Sequence, residues 1–266
     1  MPPRTADMIP VASPATVEHR CWSEQVLAAK EARFLDGGRP FWQDGLRAVG
    51  ILGEFLRGFV AFRSLGRCAT VFGSSRKNVG DHWGDLAYML GRRLAERGFT
   101  VMTGGGPGLM AQANRGAREA GGLSIGCGIK LRTEHGPNPW VDRWIEFHRF
   151  FVRKVMLVKY SCAFVVLPGG FGTLDELFEA VTLRQTGKIH DFPVILMGRS
   201  YWAPLLELVS AMAHRHATID PSDLASLLVT DSVDEAVACI VHCATRRFGL
   251  ACRDAASERA LPEPRT

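Results

Sequence analysis

The chain has 266 residues, of which 47% are hydrophobic and 22% charged, and carries a net charge of +5. This composition is that of an ordinary soluble globular protein and excludes a chain disordered throughout, a collagen-like repeat and a coiled-coil rod. The longest apolar runs, such as Phe164–Leu167 and Pro193–Met197, fall far short of the roughly 18 residues a membrane span needs, and the basic residues cluster only as pairs, Arg92/Arg93 and Arg246/Arg247, so neither a membrane nor a nucleic acid is expected as partner.

A mild positive balance suits a small anionic ligand. The seven cysteines form no Cys-x-x-Cys pair, and Cys127, Cys162 and Cys239 sit inside apolar runs, as free thiols do in a reducing compartment. Met1–Arg20 has no apolar core of the secretory kind, and a cytoplasmic location is expected.

In chain order, residues 1–16 read as a lead-in rich in Pro, Ala, Ser and Thr, and Val17–Leu35 as a helix broken by Asp36-Gly37-Gly38-Arg39-Pro40. Phe41–Phe62 reads as a second helix, so residues 1–66 form a lead-in and helical extension without strands. The main domain, 67–248, opens with a buried strand, Cys68–Phe72, then Gly73-Ser74-Ser75 and a helix over Asp81–Arg97 stopped by Gly98. Phe99–Met102 is the next strand, leading through Thr103-Gly104-Gly105-Gly106-Pro107-Gly108 into a helix over Leu109–Ala120. Leu123–Ile129 is a strand, 130–143 a loop, Ile145–Phe147 a short strand and Phe150–Tyr160 a helix. Ala163–Leu167 is a buried strand that enters Pro168-Gly169-Gly170-Phe171-Gly172-Thr173, with a helix beyond it to Thr186. Phe192–Met197 is a strand, 202–215 a helix, Leu227–Val229 a last short strand, and Val233–Arg246 a helix capped by Ser232 or Asp231. The residues after Gly249 form a polar tail.

Strands alternating with helices of 12–16 residues imply βαβ units, and uninterrupted apolar strands imply burial on both faces. The expected fold is α/β, a Rossmann-like open doubly wound parallel sheet with an N-terminal helical extension. In such a sheet ligands bind beyond the carboxyl ends of the strands. Three strand ends carry loops that lead into helices: Gly73–Ser75, Thr103–Gly108 and Pro168–Thr173. Glycines admit a ligand close to the backbone, and free N–H groups at a helix start suit a phosphate. None of the three has the spacing of a dinucleotide or Walker fingerprint.

Pro168-Gly169-Gly170-Phe171-Gly172-Thr173-Leu174-Asp175-Glu176 matches the Pro-Gly-Gly-x-Gly-Thr-x-x-Glu signature of the LOG (LONELY GUY) family, and Arg153-Lys154 matches its Arg-Lys pair, 23 residues before Glu176. Gly104–Met110 and Gly73-Ser74-Ser75 match two further family elements. Over about residues 67–245 the chain therefore resembles that family, whose members have often carried a lysine decarboxylase label and whose characterised activity is cytokinin riboside 5′-monophosphate phosphoribohydrolase. The extension before residue 67 resembles the longer bacterial branch. The resemblance implies Arg153 and Glu176 as the catalytic pair, and substrate contacts at Ser74, Gly105, Gly106, Met110, Lys154, Pro168, Gly169, Gly170, Gly172 and Thr173. Glu134 corresponds loosely to a family glutamate that contacts substrate. Thr182, two turns beyond the phosphate loop, is either a nucleotide contact or a core threonine.

The chemistry stands without the name. Cleaving an N-glycosidic bond builds positive charge on the ribose, which a carboxylate at Glu176 stabilises while it orients or deprotonates water. Arg153 either offsets the charge developing on the departing base or positions the nucleotide. Asp175 reads as a solvated neighbour. His214 and His216 face different sides of a helix, and Cys239 and Cys243 have no second ligand pair, so no metal is expected. No lysine has the context of a Schiff-base residue, and no cofactor is expected. A nucleotide sensor without turnover, or cleavage of plain AMP or another purine monophosphate, remains an alternative. Apolar helical surface before residue 67 and on the 233–246 helix, together with the resemblance, implies a homodimer at least, with the active site near the interface.

Overall fold

A computed structural model describes residues 41–76, 80–130 and 136–248. The expected 1–16 lead-in, the Val17–Leu35 helix with its break, Glu134 and the tail after Gly249 lie outside the described residues. The chain divides into two compact units, Met1–Val49 and Gly50–Thr266, and the second holds the sheet.

The described residues contain seven strands: β1 (Cys68–Phe72), β2 (Thr100–Thr103), β3 (Ser124–Ile129), β4 (Arg143–Phe147), β5 (Ala163–Val166), β6 (Val194–Met197) and β7 (Leu227–Thr230). They form one sheet in the order β4-β3-β2-β1-β5-β6-β7, and every pairing is parallel. The helices are α1 (Phe41–Phe62), α2 (Asp81–Glu96), α3 (Leu109–Glu119), α4 (Phe150–Tyr160), α5 (Phe171–Gln185), α6 (Arg199–His214), α7 (Pro221–Ala225) and α8 (Val233–Phe248). Every residue of β1, β2, β3, β5 and β6 is buried, while β4 and β7, at the sheet edges, are partly exposed. Burial on both faces is what the uninterrupted apolar strands require.

Alternate strand residues feed two cores. Val71, Val101, Val165 and Ile195 pack with α2, α3 and α8, whereas Phe72, Met102, Phe164 and Leu196 pack with α4, α5, α6 and the Ile51–Phe62 portion of α1. The helix expected to offer free apolar surface, α8, buries Ala236, Val237, Ile240 and Ala244 in the first of these cores, so its apolar face is already covered. No helix among the described residues is long and apolar enough to cross a membrane.

Strand order reverses between β1 and β5, which makes their carboxyl ends the switch point where an open sheet takes ligands. Several boundaries differ from the sequence expectation, and one short helix is added. β4 starts at Arg143 because its exposed first residue carries no apolar signal. α5 starts at Phe171 with Gly170 as N-cap, so Gly172 and Thr173 lie in its first turn and not in a loop. α6 starts at Arg199, whose N–H is taken by Asp231 at 2.8 Å. The five-residue α7, closed by a capping box between Asp220 and Asp223, is too short for periodicity to show it.

One buried carboxylate ties α1 to the element that carries Arg153. Glu54 accepts from the His148 backbone N–H, lies 3.1 Å from His148 Nδ1 and 2.9 Å from Arg149 Nη1, and its side chain is 5% exposed. Arg149 is the N-cap of α4, and its carbonyl accepts the Arg153 N–H. Burial pushes the Glu54 carboxyl up, but the hydrogen bonds from His148 and Arg149 outweigh it and leave its pKa lowered. A carboxylate whose pKa falls on folding stabilises the fold above its unfolded pKa, and the gain is lost as pH drops through the folded value. Glu54→Ala is therefore expected to cost about 3 kcal/mol or more at neutral pH, because it strands Arg149. Thermal melts at neutral and acid pH check this: the deficit shrinks toward acid, and an equal deficit at both rejects the ionic role.

Candidate active site

Three loops meet at the carboxyl edge around Ser74. Its N–H donates to the Pro168 carbonyl at 2.9 Å, joining the β1 and β5 ends, and its own carbonyl accepts the Leu109 N–H at 3.0 Å, joining the β2 loop. Gly108, at φ +70°, makes the last junction feasible, since a Cβ there would stand 2.4 Å from the Ser74 oxygen. The Ser74 hydroxyl is 3.2 Å from the Arg76 N–H, which it accepts.

The β2 loop hangs on a buried polar network. Asn138 donates to the carbonyls of Gly105 and Gly106, both at 3.0 Å, and to Asn114 Oδ1 at 3.0 Å. Thr103 Oγ1 donates to Asn114 Oδ1 at 2.6 Å and accepts the Gly105 N–H at 2.8 Å. Asn114 Nδ2 donates to Ser124 Oγ at 2.7 Å. Such a satisfied network fixes a loop more rigidly than its glycines would allow alone. Met110 folds back over Gly104 and Gly106: a Cβ on Gly104 would meet Met110 Sδ at 2.8 Å and Arg153 Nη2 at 3.1 Å. Met110 and Arg153 thus flank one glycine.

The β5 loop begins α5. Gly169 lies against Thr173, whose Oγ1 would be 2.1 Å from an added Cβ. The N–H groups of Thr173 and Leu174 donate to the Gly170 carbonyl, both at 3.0 Å. The N–H groups of Gly170, Phe171 and Gly172 have no partner among the described residues, which is the donor set a helix start offers an anion. The Thr173 N–H, at the same helix start, is spent inside the turn.

Arg153 and Glu176 come from α4 and α5 and face each other. Arg153 Nε donates to the Cys127 carbonyl, within β3, at 2.9 Å, which holds the guanidinium against that strand. Its Nη1 is 3.7 Å from Glu176 Oε1, an ion-pair distance too long for a hydrogen bond. Glu176 is 3% exposed, and its Oε2 has no hydrogen-bond partner among the described residues. A buried, half-unsatisfied carboxylate is costly, and such groups concentrate where chemistry is done. Burial raises its pKa above the ordinary glutamate range, with Arg153 and Lys154 opposing. The neighbouring Cys127 thiol is pushed up to about 12 by burial, so it stays protonated and serves as core, not as a nucleophile.

Other expected contacts are placed differently. Lys154 Nζ sits 2.6 Å from Glu179 and 2.9 Å from Asp175, tying α4 to α5. Burial works against its charge, but the two carboxylates prevail and raise its pKa. Asp175 is 56% exposed, the solvated neighbour expected. Thr182 is exposed and its hydroxyl donates to the Phe178 carbonyl at 2.7 Å, so it is neither buried core nor joined to the loop. Asn114, Asn138 and Tyr201, whose hydroxyl donates to the Gly169 carbonyl at 2.7 Å, support the loops and were not singled out by sequence. Among the described residues no group of three or more His, Cys, Asp or Glu side chains has the geometry to hold a metal ion.

Residues 110–240 match the family described as "Possible lysine decarboxylase". The chain is 32% identical over 160 residues to a protein of Mycobacterium tuberculosis named cytokinin riboside 5′-monophosphate phosphoribohydrolase, covering 58% of this chain and 82% of the relative. A Rhodococcoides fascians protein of the same name is 29% identical over 182 residues, covering 65% of this chain and 89% of the relative. A solved structural-genomics protein, TM1055, superposes with a TM-score of 0.53 at 26% identity, covering 66% of this chain and 98% of that one.

Proposed function

Because the chain belongs to the LOG family, we propose that it hydrolyses the N-glycosidic bond of adenosine 5′-monophosphates, N6-substituted or plain, to the free base (a cytokinin or adenine) and ribose 5-phosphate. The observation that carries this reading is the buried Glu176 carboxylate, with one oxygen unpaired, opposite Arg153 and one turn beyond three free backbone N–H groups. The 5′-phosphate occupies those N–H groups and brings the ribose to Glu176. The C1′–N9 bond breaks with its electron pair passing to the base, whose charge Arg153 offsets. Glu176 stabilises the cationic ribose and takes a proton from the water that adds to C1′; that proton passes on to the departing base, which leaves neutral and restores the carboxylate. A decarboxylase reading needs a lysine nucleophile with a depressed pKa; Lys154, beside Arg153, is held by two carboxylates in the opposite sense.

Base release from AMP and from adenosine tests the reading. AMP is expected to be turned over at least about 100-fold more efficiently, since adenosine lacks the group that the loop grips in reaching the transition state. Equal turnover of the two rejects the loop as a phosphate site.

We also propose a homodimer. Leu52, Leu56 and Val60 on α1, Val155 on α4 and Phe178 on α5 are each at least 43% exposed, apolar surface of the kind that self-association covers. Light scattering at micromolar concentration is expected to give at least twice the 29.2 kDa chain mass, and a monomer rejects the proposal.

A further inference from the structure

The phosphate loop is braced from a direction that the family signature does not include. Gly198 ends β6 in a left-handed turn, φ +107°, and starts α6. Its N–H donates to the Thr230 carbonyl at 3.2 Å, and Asp231 takes the Arg199 N–H, so the first turn of α6 is pinned to the end of β7. The Trp83 ring covers Gly198, which also abuts Pro168. Tyr201 stands in this fixed turn. Its ring packs edge-on against Trp202, with centroids 4.9 Å apart, and Trp202 is anchored by its own Nε1 to the Met197 carbonyl at 3.0 Å. The Tyr201 hydroxyl then donates to the Gly169 carbonyl at 2.7 Å.

That bond sets a peptide plane. In a trans peptide the carbonyl of one residue and the N–H of the next point in opposite directions. With the Gly169 carbonyl drawn toward Tyr201, the Gly170 N–H is directed away from α6, and it is one of the three N–H groups left without a partner. Glycines on both sides of this peptide bond leave its orientation free to flip unless something holds it. The preceding peptide is fixed by the Ser74 N–H on the Pro168 carbonyl. The Gly169–Gly170 peptide is fixed by Tyr201.

We propose that Tyr201 is a positioning residue for the phosphate cradle: its hydroxyl locks the Gly169–Gly170 peptide so that the Gly170 N–H is presented to the 5′-phosphate before substrate arrives. The proposal rests on the reading of Gly170–Gly172 as the phosphate site. It deepens that reading by assigning loop preorganisation to a side chain from the next βα unit.

Tyr201→Phe removes the hydroxyl and keeps the ring on Trp202. KM for AMP, and the inhibition constant of ribose 5-phosphate, are expected to rise about fivefold to tenfold, the scale of one hydrogen bond. Turnover at saturating AMP changes by less than about twofold, and adenosine hydrolysis is unchanged. The AMP-to-adenosine efficiency ratio, read on one preparation, is insensitive to partial loss of fold and so separates positioning from general damage. An unchanged KM for AMP, or equal losses on AMP and adenosine, overturns the role of Tyr201. A wild-type protein that does not prefer AMP to adenosine overturns the phosphate site itself, and the proposal with it.

Discussion

Glu176→Gln is expected to lower base release from AMP by about 10²–10⁴-fold while leaving the protein folded. The amide has the shape of the carboxyl, so α5 and its packing survive. It lacks the negative charge that a cationic ribose needs and does not take a proton from water. The native carboxyl has its pKa raised by burial, so its ionised form costs stability: the cost builds as pH rises from the unfolded to the folded pKa and is fully present above it. Removing the charge removes that cost, and the melting temperature at neutral pH is expected to hold or rise. The same shift places the acid limb of the wild-type turnover profile above the ordinary glutamate range. Asp175→Asn is the control: Asp175 is exposed and pairs with Lys154, and its loss changes turnover little. Base-release assays on the two variants beside thermal melts check the set. A dead Asp175→Asn with an active Glu176→Gln means that the wrong carboxylate has been assigned.

Arg153→Ala is expected to lose a comparable share of activity for a different reason, and to lose stability as well. The guanidinium holds the Cys127 carbonyl and faces Glu176. Truncation leaves a buried carboxylate without its opposing charge, a change that typically costs about 3–5 kcal/mol. Nucleotide affinity is also expected to fall, because in the proposed scheme Arg153 meets the substrate in the ground state. The double variant, Arg153→Ala with Glu176→Gln, is expected to melt above Arg153→Ala alone, since no uncompensated charge remains, and to be no more active than either single variant. Melting temperatures and nucleotide affinities of the three proteins read this directly. A double variant less stable than Arg153→Ala contradicts a charge-based coupling.

The sheet was legible because a strand buried on both faces has nowhere to put a polar residue, and β1, β5 and β6 accordingly read as unbroken apolar runs. The three loops were legible because their glycines and helix starts are contiguous in sequence. What escaped were contacts across βα units. Asn138 reaches the Gly105 and Gly106 carbonyls from a loop more than thirty residues away, with no spacing to reveal it. Tyr201 meets Gly169 across thirty-two positions. Lys154 was drawn into the site by its place beside Arg153, yet successive helix residues point about 100° apart, and Lys154 turns to Asp175 and Glu179. The first turn of α6, Arg199-Ser200-Tyr201, carries no apolar periodicity, so the helix reads from 202 although it starts at Arg199.

The most direct test of the account is a product analysis of adenosine 5′-monophosphate and its N6-isopentenyl derivative, each incubated with the protein in buffered water and followed by NMR. Free base and ribose 5-phosphate appearing in equal amounts, over many turnovers and at a rate abolished by Glu176→Gln, is the predicted result. Nucleotide that binds tightly and is recovered intact contradicts it, and makes the Arg153–Glu176 site that of a sensor.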